Sequence, residues 1–162
     1  MTHTLVVIRH AKSDWAVDAP DKERPLAKRG RRQAPAAGRW LAAQGIEIDL
    51  AVVSPATRAR QTWELVAAEL GTMPPTQVVE AAYTFDGDDL VGVIRGLPES
   101  AASVAFVGHN PAVEEFVEEL TGEYAALPTS AIAVIEVPSW ASVGSGAVGR
   151  LIANLRPADE ER

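Results

Sequence analysis

"TLVVIRHAKSDW", residues 4–15, runs from an apolar strand straight into charge. Thr4–Ile8 is short, rich in β-branched residues and lacks polar alternation. That pattern suits a strand buried on both faces, as in a parallel sheet covered by helices. The run ends at once in Arg9 and His10, with Lys12 and Asp14 just beyond. Two readings compete. Either the strand surfaces here and its polar end is solvated, or Arg9 and His10 are aimed at a shared anion.

The chain beyond this stretch alternates strand and helix signals. Residues 14–27 carry charge and two prolines and read as a surface loop. Residues 28–44 read as a helix, with Ala34, Ala37 and Leu41 on one face and Pro35 expected to kink it or delay its start. "LAVVS" at 50–54 reads as a second buried strand. Ser54-Pro55 then gives the pattern of an N-cap followed by proline in the first turn. Trp63, Val66, Ala67 and Leu70 form an amphipathic stripe that Gly71 stops. Residues 76–79 form a third strand, and 86–97 a short helix closed by Pro98.

"SVAFVGH" at 103–109 repeats the buried-strand pattern, and Asn110-Pro111 repeats the cap signal. Val113, Phe116, Val117 and Leu120 mark another helix, closed by Gly122. "SAIAVIEV" and "AVGRLIANL" finish as two strands joined by a Gly/Ser-rich turn at 142–146. The alternation predicts a three-layer α/β/α sandwich with a mostly parallel sheet of about five or six strands. One domain is expected over 1–157, with 158–162 a frayed tail.

Composition narrows the function. The 162 residues suffice for one sizeable core. Asp and Glu outnumber Lys and Arg 22 to 15, a net charge of −7 that argues against a general nucleic-acid binder. There is no cysteine, which removes disulfides, thiolate metal sites and a cysteine nucleophile. No apolar run approaches the about 18–20 residues of a membrane span. The N-terminus lacks the pattern of a secretion signal. A cytoplasmic protein, binding neither membrane nor nucleic acid, is the expectation.

Ligands of open parallel sheets bind beyond the carboxyl ends of the strands. The first strand ends in Arg9-His10. The second leads to Arg58 in the first turn of its helix. The fourth ends in His109 before another helix. Two arginines, two histidines and helix N-termini thus converge on one edge. Arginine forks grip phosphate oxygens in pairs, helix N-termini offer free N–H groups, and a neutral imidazole nitrogen can attack phosphorus. Each element alone is weak, since strand-end histidines are commonly structural. The third histidine, His3, is expected to be frayed. Zinc is the rival ligand, but no third donor follows at helical spacing and the arginines would repel a cation.

"VVIRHAKS", "VVSPATRARQT" and "FVGHNP", in that order, resemble the histidine phosphatase superfamily, whose hallmark is Arg-His-Gly. Ala11 replaces that glycine here. "RPLAKRG" at 24–30 and "TSAIAVIEV" at 129–137 are similar to the branch that includes the SixA-type phosphohistidine phosphatases. The resemblance implies that His10 is the nucleophile that becomes phosphorylated, and that Arg9, Arg58 and His109 complete the phosphate pocket. Arg24 is implied as a further phosphate contact, and Lys12 and Ser13 as residues lining the pocket. Asn110 reads as a cap.

No metal or cofactor is implied. Larger members protonate the leaving group with an acidic residue after the third strand. Glu80 is the candidate acid here, with Tyr83 close by. Asp86, Asp88 and Asp89 read as a turn and helix start, and Asp14 is an outside candidate. A site without a strong acid suits phosphohistidine in a protein, whose leaving group is good. The alternatives are a small-molecule phosphomonoesterase and a phosphate-binding relative without turnover. A monomer is expected.

Overall fold

The computed structural model describes residues 2–158. Six strands form one sheet: β1 (His3–Arg9), β2 (Leu50–Val53), β3 (Thr76–Val78), β4 (Ser103–Gly108), β5 (Ile132–Val137) and β6 (Arg150–Leu155). Their order is β3-β2-β4-β1-β5-β6. The pairs from β3 through β1 are parallel, while β1/β5 and β5/β6 are antiparallel. The sheet is parallel where the site lies and antiparallel at its other edge. The last four residues of the expected tail lie outside the described residues.

The helices are α1 (Lys28–Ala43), α2 (Thr57–Ala68), α3 (Asp88–Arg95) and α4 (Ala112–Thr121). β1 shows how they are placed. Its Leu5 and Val7 join a cluster with Leu90 and Ile94 of α3 and Val113, Phe116 and Val117 of α4. The alternate residues Val6 and Ile8 join Ala34, Ala37 and Leu41 of α1 and Trp63 and Val66 of α2. Leu5–Ile8 are therefore all apolar because each face of the strand meets a helix layer.

Several local expectations need correcting. α1 starts at Lys28 with Pro35 inside it, so the proline does not delay its start. Neither Ser54 nor Asn110 is a helix cap: the N-cap residues are Ala56 and Pro111, and neither helix has a side-chain cap bond. Both polar residues are engaged elsewhere, as described below. His3 is not frayed. It sits in β1, its Nε2 is 2.8 Å from the Glu99 carbonyl oxygen, and its ring packs edge-on to Trp140.

α1 and α2 approach closely through Gly38. A Cβ there would lie 2.4 Å from the Val66 carbonyl oxygen. Glycine-to-alanine inside a helix ordinarily stabilises by up to about 1 kcal/mol. Here backbone would have to move, so Gly38→Ala is expected to destabilise the protein by about 1–3 kcal/mol. Urea unfolding checks the sign.

Candidate active site

The register of three parallel strands assembles the site. Arg9 pairs with Gly108, so the next residues, His10 and His109, emerge side by side. Their ring centroids are 5.1 Å apart. The His10 backbone N–H donates to the Gly108 carbonyl at 3.0 Å. Val53 of β2 pairs with Val107, and the Ser54 N–H continues that ladder to the Val107 carbonyl at 3.1 Å. Arg58 enters from the first turn of α2 and is 4 % exposed. Arg9, Arg58 and His109 all lie near enough to disfavour a positive charge on His10.

The His10 ring is held in one tautomer. Its Nδ1 lies 2.8 Å from the Ala11 carbonyl oxygen, which can only accept, so Nδ1 carries the proton and Nε2 keeps its lone pair. Burial, more than the neighbouring charges, pushes its pKa down from 6.5 to about 3. A neutral imidazole with a free Nε2 is a nucleophile. Ala11 is wholly buried in the same cluster as Val6 and Ile8, and its backbone is outside the left-handed region that would need glycine. Its N–H donates to Thr62 Oγ1 at 2.9 Å, and the Thr62 hydroxyl donates to the Arg58 carbonyl at 2.7 Å. Thr62 thus ties the nucleophile turn to the helix that carries Arg58.

Ser54, fully buried, holds the second histidine. Its Oγ accepts the Ala56 N–H at 3.2 Å and lies 2.7 Å from His109 Nε2. A buried hydroxyl proton needs an acceptor, and Nε2 is the one within reach. That pattern assigns the His109 ring proton to Nδ1, a buried donor with no partner in the protein. Burial, followed by Arg58, pushes the His109 pKa down to about 4. Tyr83 and Phe85 pack on the same ring, with centroids at 5.4 and 5.8 Å.

The two arginines are braced differently. Arg58 donates through Nη1 to the Asp21 carbonyl at 2.6 Å and through Nη2 to Asp21 Oδ2 at 3.0 Å. The Tyr83 hydroxyl donates to the same Oδ2 at 2.6 Å. The Tyr83 bond first, and then Arg58, hold the Asp21 carboxyl below its ordinary range. Asp21 is thus a fixed anion beside the pocket. Arg9 donates through Nη1 to the Leu127 carbonyl at 3.3 Å, while its buried Nε has no partner. Leu127 is anchored in turn by Glu114, which accepts its N–H at 2.7 Å. Asn110 donates to both Glu114 and the Leu127 carbonyl, which is why it is no cap.

The other candidates lie at the rim or beyond it. Lys12 is exposed, with its backbone N–H held by Gln33 Oε1 at 2.9 Å. Ser13 is buried and bridges to Leu26. Arg24 braces the loop: its guanidinium donates to the carbonyls of Asp14, Val17 and Ala19 and stacks on Trp15. Glu80 is exposed and paired with Lys22 at 2.9 Å. Asp14 and Asp86 each accept the backbone N–H two residues on, from Ala16 and Asp88. Asp88 and Asp89 form the first turn of α3.

Sequence reasoning missed Asp21, the cap-like Ser54 and Thr62. Asp21 lay in a loop with four acidic residues and nothing to single it out. Thr62 carried a usable signal, being one helical turn beyond Arg58. Among the described residues no three His, Asp or Glu side chains gather as a metal site, and no helix is long and apolar enough to cross a membrane.

Residues 5–82 match the family model described as histidine phosphatase superfamily, branch 1. The chain is 36% identical over 139 residues to the phosphohistidine phosphatase SixA of Escherichia coli, covering 81% of this chain and 83% of SixA. It is 35% identical over 151 residues to an uncharacterised protein of Mycobacterium tuberculosis, covering 86% of this chain and 93% of that one. Its fold superposes on a structure of the protein histidine phosphatase SixA complexed with tungstate. The TM-score is 0.83 at 29% identity, covering 95% of this chain and 97% of that one.

Two outcomes follow from the histidines. Their folded pKa values, about 3 and about 4, lie below the unfolded value near 6.5. The unfolded chain therefore binds protons that the folded one does not as pH falls below 6.5. Stability should drop toward pH 4 by about 1.4 kcal/mol per pH unit for each histidine. Urea unfolding at pH 7, 6 and 5 (about) should show a steeper loss for wild type than for His10→Gln/His109→Gln. Separately, ring ¹⁵N shifts should show His109 fixed with its proton on Nδ1 in wild type. Ser54→Ala should turn that into a mixture of tautomers.

Proposed function

The chain belongs to the histidine phosphatase superfamily and its SixA-like branch, and on that footing we propose that it is a metal-independent phosphatase acting on phosphohistidine in proteins. The observation that carries this reading is the His10 ring, neutral, held through Nδ1 and free at Nε2, among Arg9, Arg58 and His109. Tungstate is a tetrahedral oxyanion like phosphate, and its presence in the SixA structure supports a phosphate-shaped pocket.

In the proposed cycle His10 Nε2 attacks phosphorus in line, forming a P–N bond as the substrate's P–N bond breaks. The arginines and the His109 Nδ1–H stabilise the charge on the phosphoryl oxygens. Water then hydrolyses the phosphohistidine, releasing phosphate and restoring His10. Catalysis is largely positioning, and the two hydrogen-bonded rings supply it without reorganisation.

The leaving group favours phosphohistidine over an alkyl ester. An alkoxide needs a proton from an acid. The carboxyl bonded to Arg58, that of Asp21, is held ionised by Tyr83 and Arg58, and Glu80 is paired with Lys22. A phosphohistidine ring protonated on its other nitrogen departs as neutral imidazole, so it needs no acid at the site. Small phosphorylated molecules remain the alternative substrates.

Incubation with a labelled phosphoramidate should give a phosphoenzyme that is labile in acid and stable in base. His10→Ala should abolish it. Normal labelling of that variant, or faster turnover of alkyl phosphates than of phosphohistidine peptides, would overturn the reading.

A further inference from the structure

Charge is unevenly divided along the chain. Residues 9–39 hold nine Lys and Arg against four Asp and Glu, net +5, whereas 40–162 hold six against eighteen, net −12. The fold keeps this division in space. Lys28, Arg29 and Arg31 are all exposed at the start of α1, around the buried Gly30. On the opposite face of the sheet α4 exposes Glu115, Glu118 and Glu119.

The basic ridge adjoins the nucleophile turn. The Ala27 N–H donates to the Lys12 carbonyl at 2.9 Å, and Gln33 takes the Lys12 N–H. A Cβ at Gly30 would lie 2.2 Å from the Lys12 carbonyl oxygen, so the helix start sits directly on that backbone. Lys12 is two residues from His10, and its own side chain is exposed beside the ridge. The first turn of α1 contains no acidic residue. Cations there add to the positive end of the helix dipole, an arrangement that is unfavourable unless an anion faces it.

We propose that this ridge docks an acidic surface patch of the phosphorylated protein, next to the histidine delivered to His10. The inference rests on the reading that a phosphohistidine protein is the substrate. The chemistry favours a compact acidic patch over a nucleic acid. The ridge spans about one helical turn, or about 5 Å, and an extended polyanion leaving it would meet the rest of a chain whose residues 40–162 sum to −12. The segregated charges also orient the encounter, presenting the basic face and repelling acidic partners elsewhere. Steering of this kind raises association rates by about 10- to 1,000-fold at low salt.

The test compares phosphohistidine peptides of one length, flanked by Asp/Glu, Ser or Lys, with a small phosphoramidate. It uses wild type and Lys28→Glu/Arg29→Glu/Arg31→Glu. At about 20 mM salt, wild type should show kcat/KM at least about tenfold higher on the acidic peptide than on the neutral one, and about 300 mM should erase the difference. The variant should lose the preference at both salt levels and turn over the phosphoramidate within about twofold of wild type. Glutamates in the first helical turn favour the fold, so the variant should melt no lower than wild type.

Equal wild-type rates on all three peptides, or a preference untouched by salt, would overturn the docking surface alone. So would a variant that retains the preference. If wild type turned over phosphoramidate but no phosphohistidine peptide, the substrate reading and the docking surface would fall together. An RNA oligonucleotide that inhibited wild type more strongly than polyglutamate of equal charge would overturn the assignment to protein.

Discussion

The alignment of β1 against β4 is the constraint on which the site depends. Side chains alternate across a strand, so a slip of one residue would exchange the two faces of β1. Leu5 and Val7 would then face α1 and α2, and His10 would leave His109. Apolar packing on both faces holds the strand in its register. A polar site is thus positioned by hydrophobic burial, and the His10 N–H bond to Gly108 carries that register one residue past the strand's end.

What could be read from the sequence follows from the same constraint. Continuous apolar runs, helical stripes and their order determine the layers, so β1, β2, β4 and all four helices were legible, as was the meeting of Arg9, His10, Arg58 and His109 at the strand ends. The supporting polar contacts were not. Ser54-Pro55 and Asn110-Pro111 carry the local signature of helix caps, yet each polar side chain turns to a tertiary partner, His109 or Glu114 and Leu127. Capping is a weak preference that a buried acceptor overrides. Asp21 reaches Arg58 across 37 positions of sequence, a pairing that no local pattern encodes.

The histidines show how burial and bonding divide the work. Burial keeps both rings neutral, and a carbonyl or a hydroxyl then chooses which nitrogen carries the proton. His10 is left with an open acceptor at Nε2, and His109 with a donor at Nδ1. Two residues of one type thereby take opposite roles toward an anion, through partners that differ only in whether they accept or donate.

The Asp21 carboxylate on Arg58 bears on what happens after the chemistry. A pocket lined by two arginines would retain inorganic phosphate, and free phosphate in the medium would compete for it. A fixed negative charge at one arginine lowers the pocket's attraction for every anion. Through Asp21, the loop between β1 and α1 offsets part of the positive charge that Arg58 brings to the pocket.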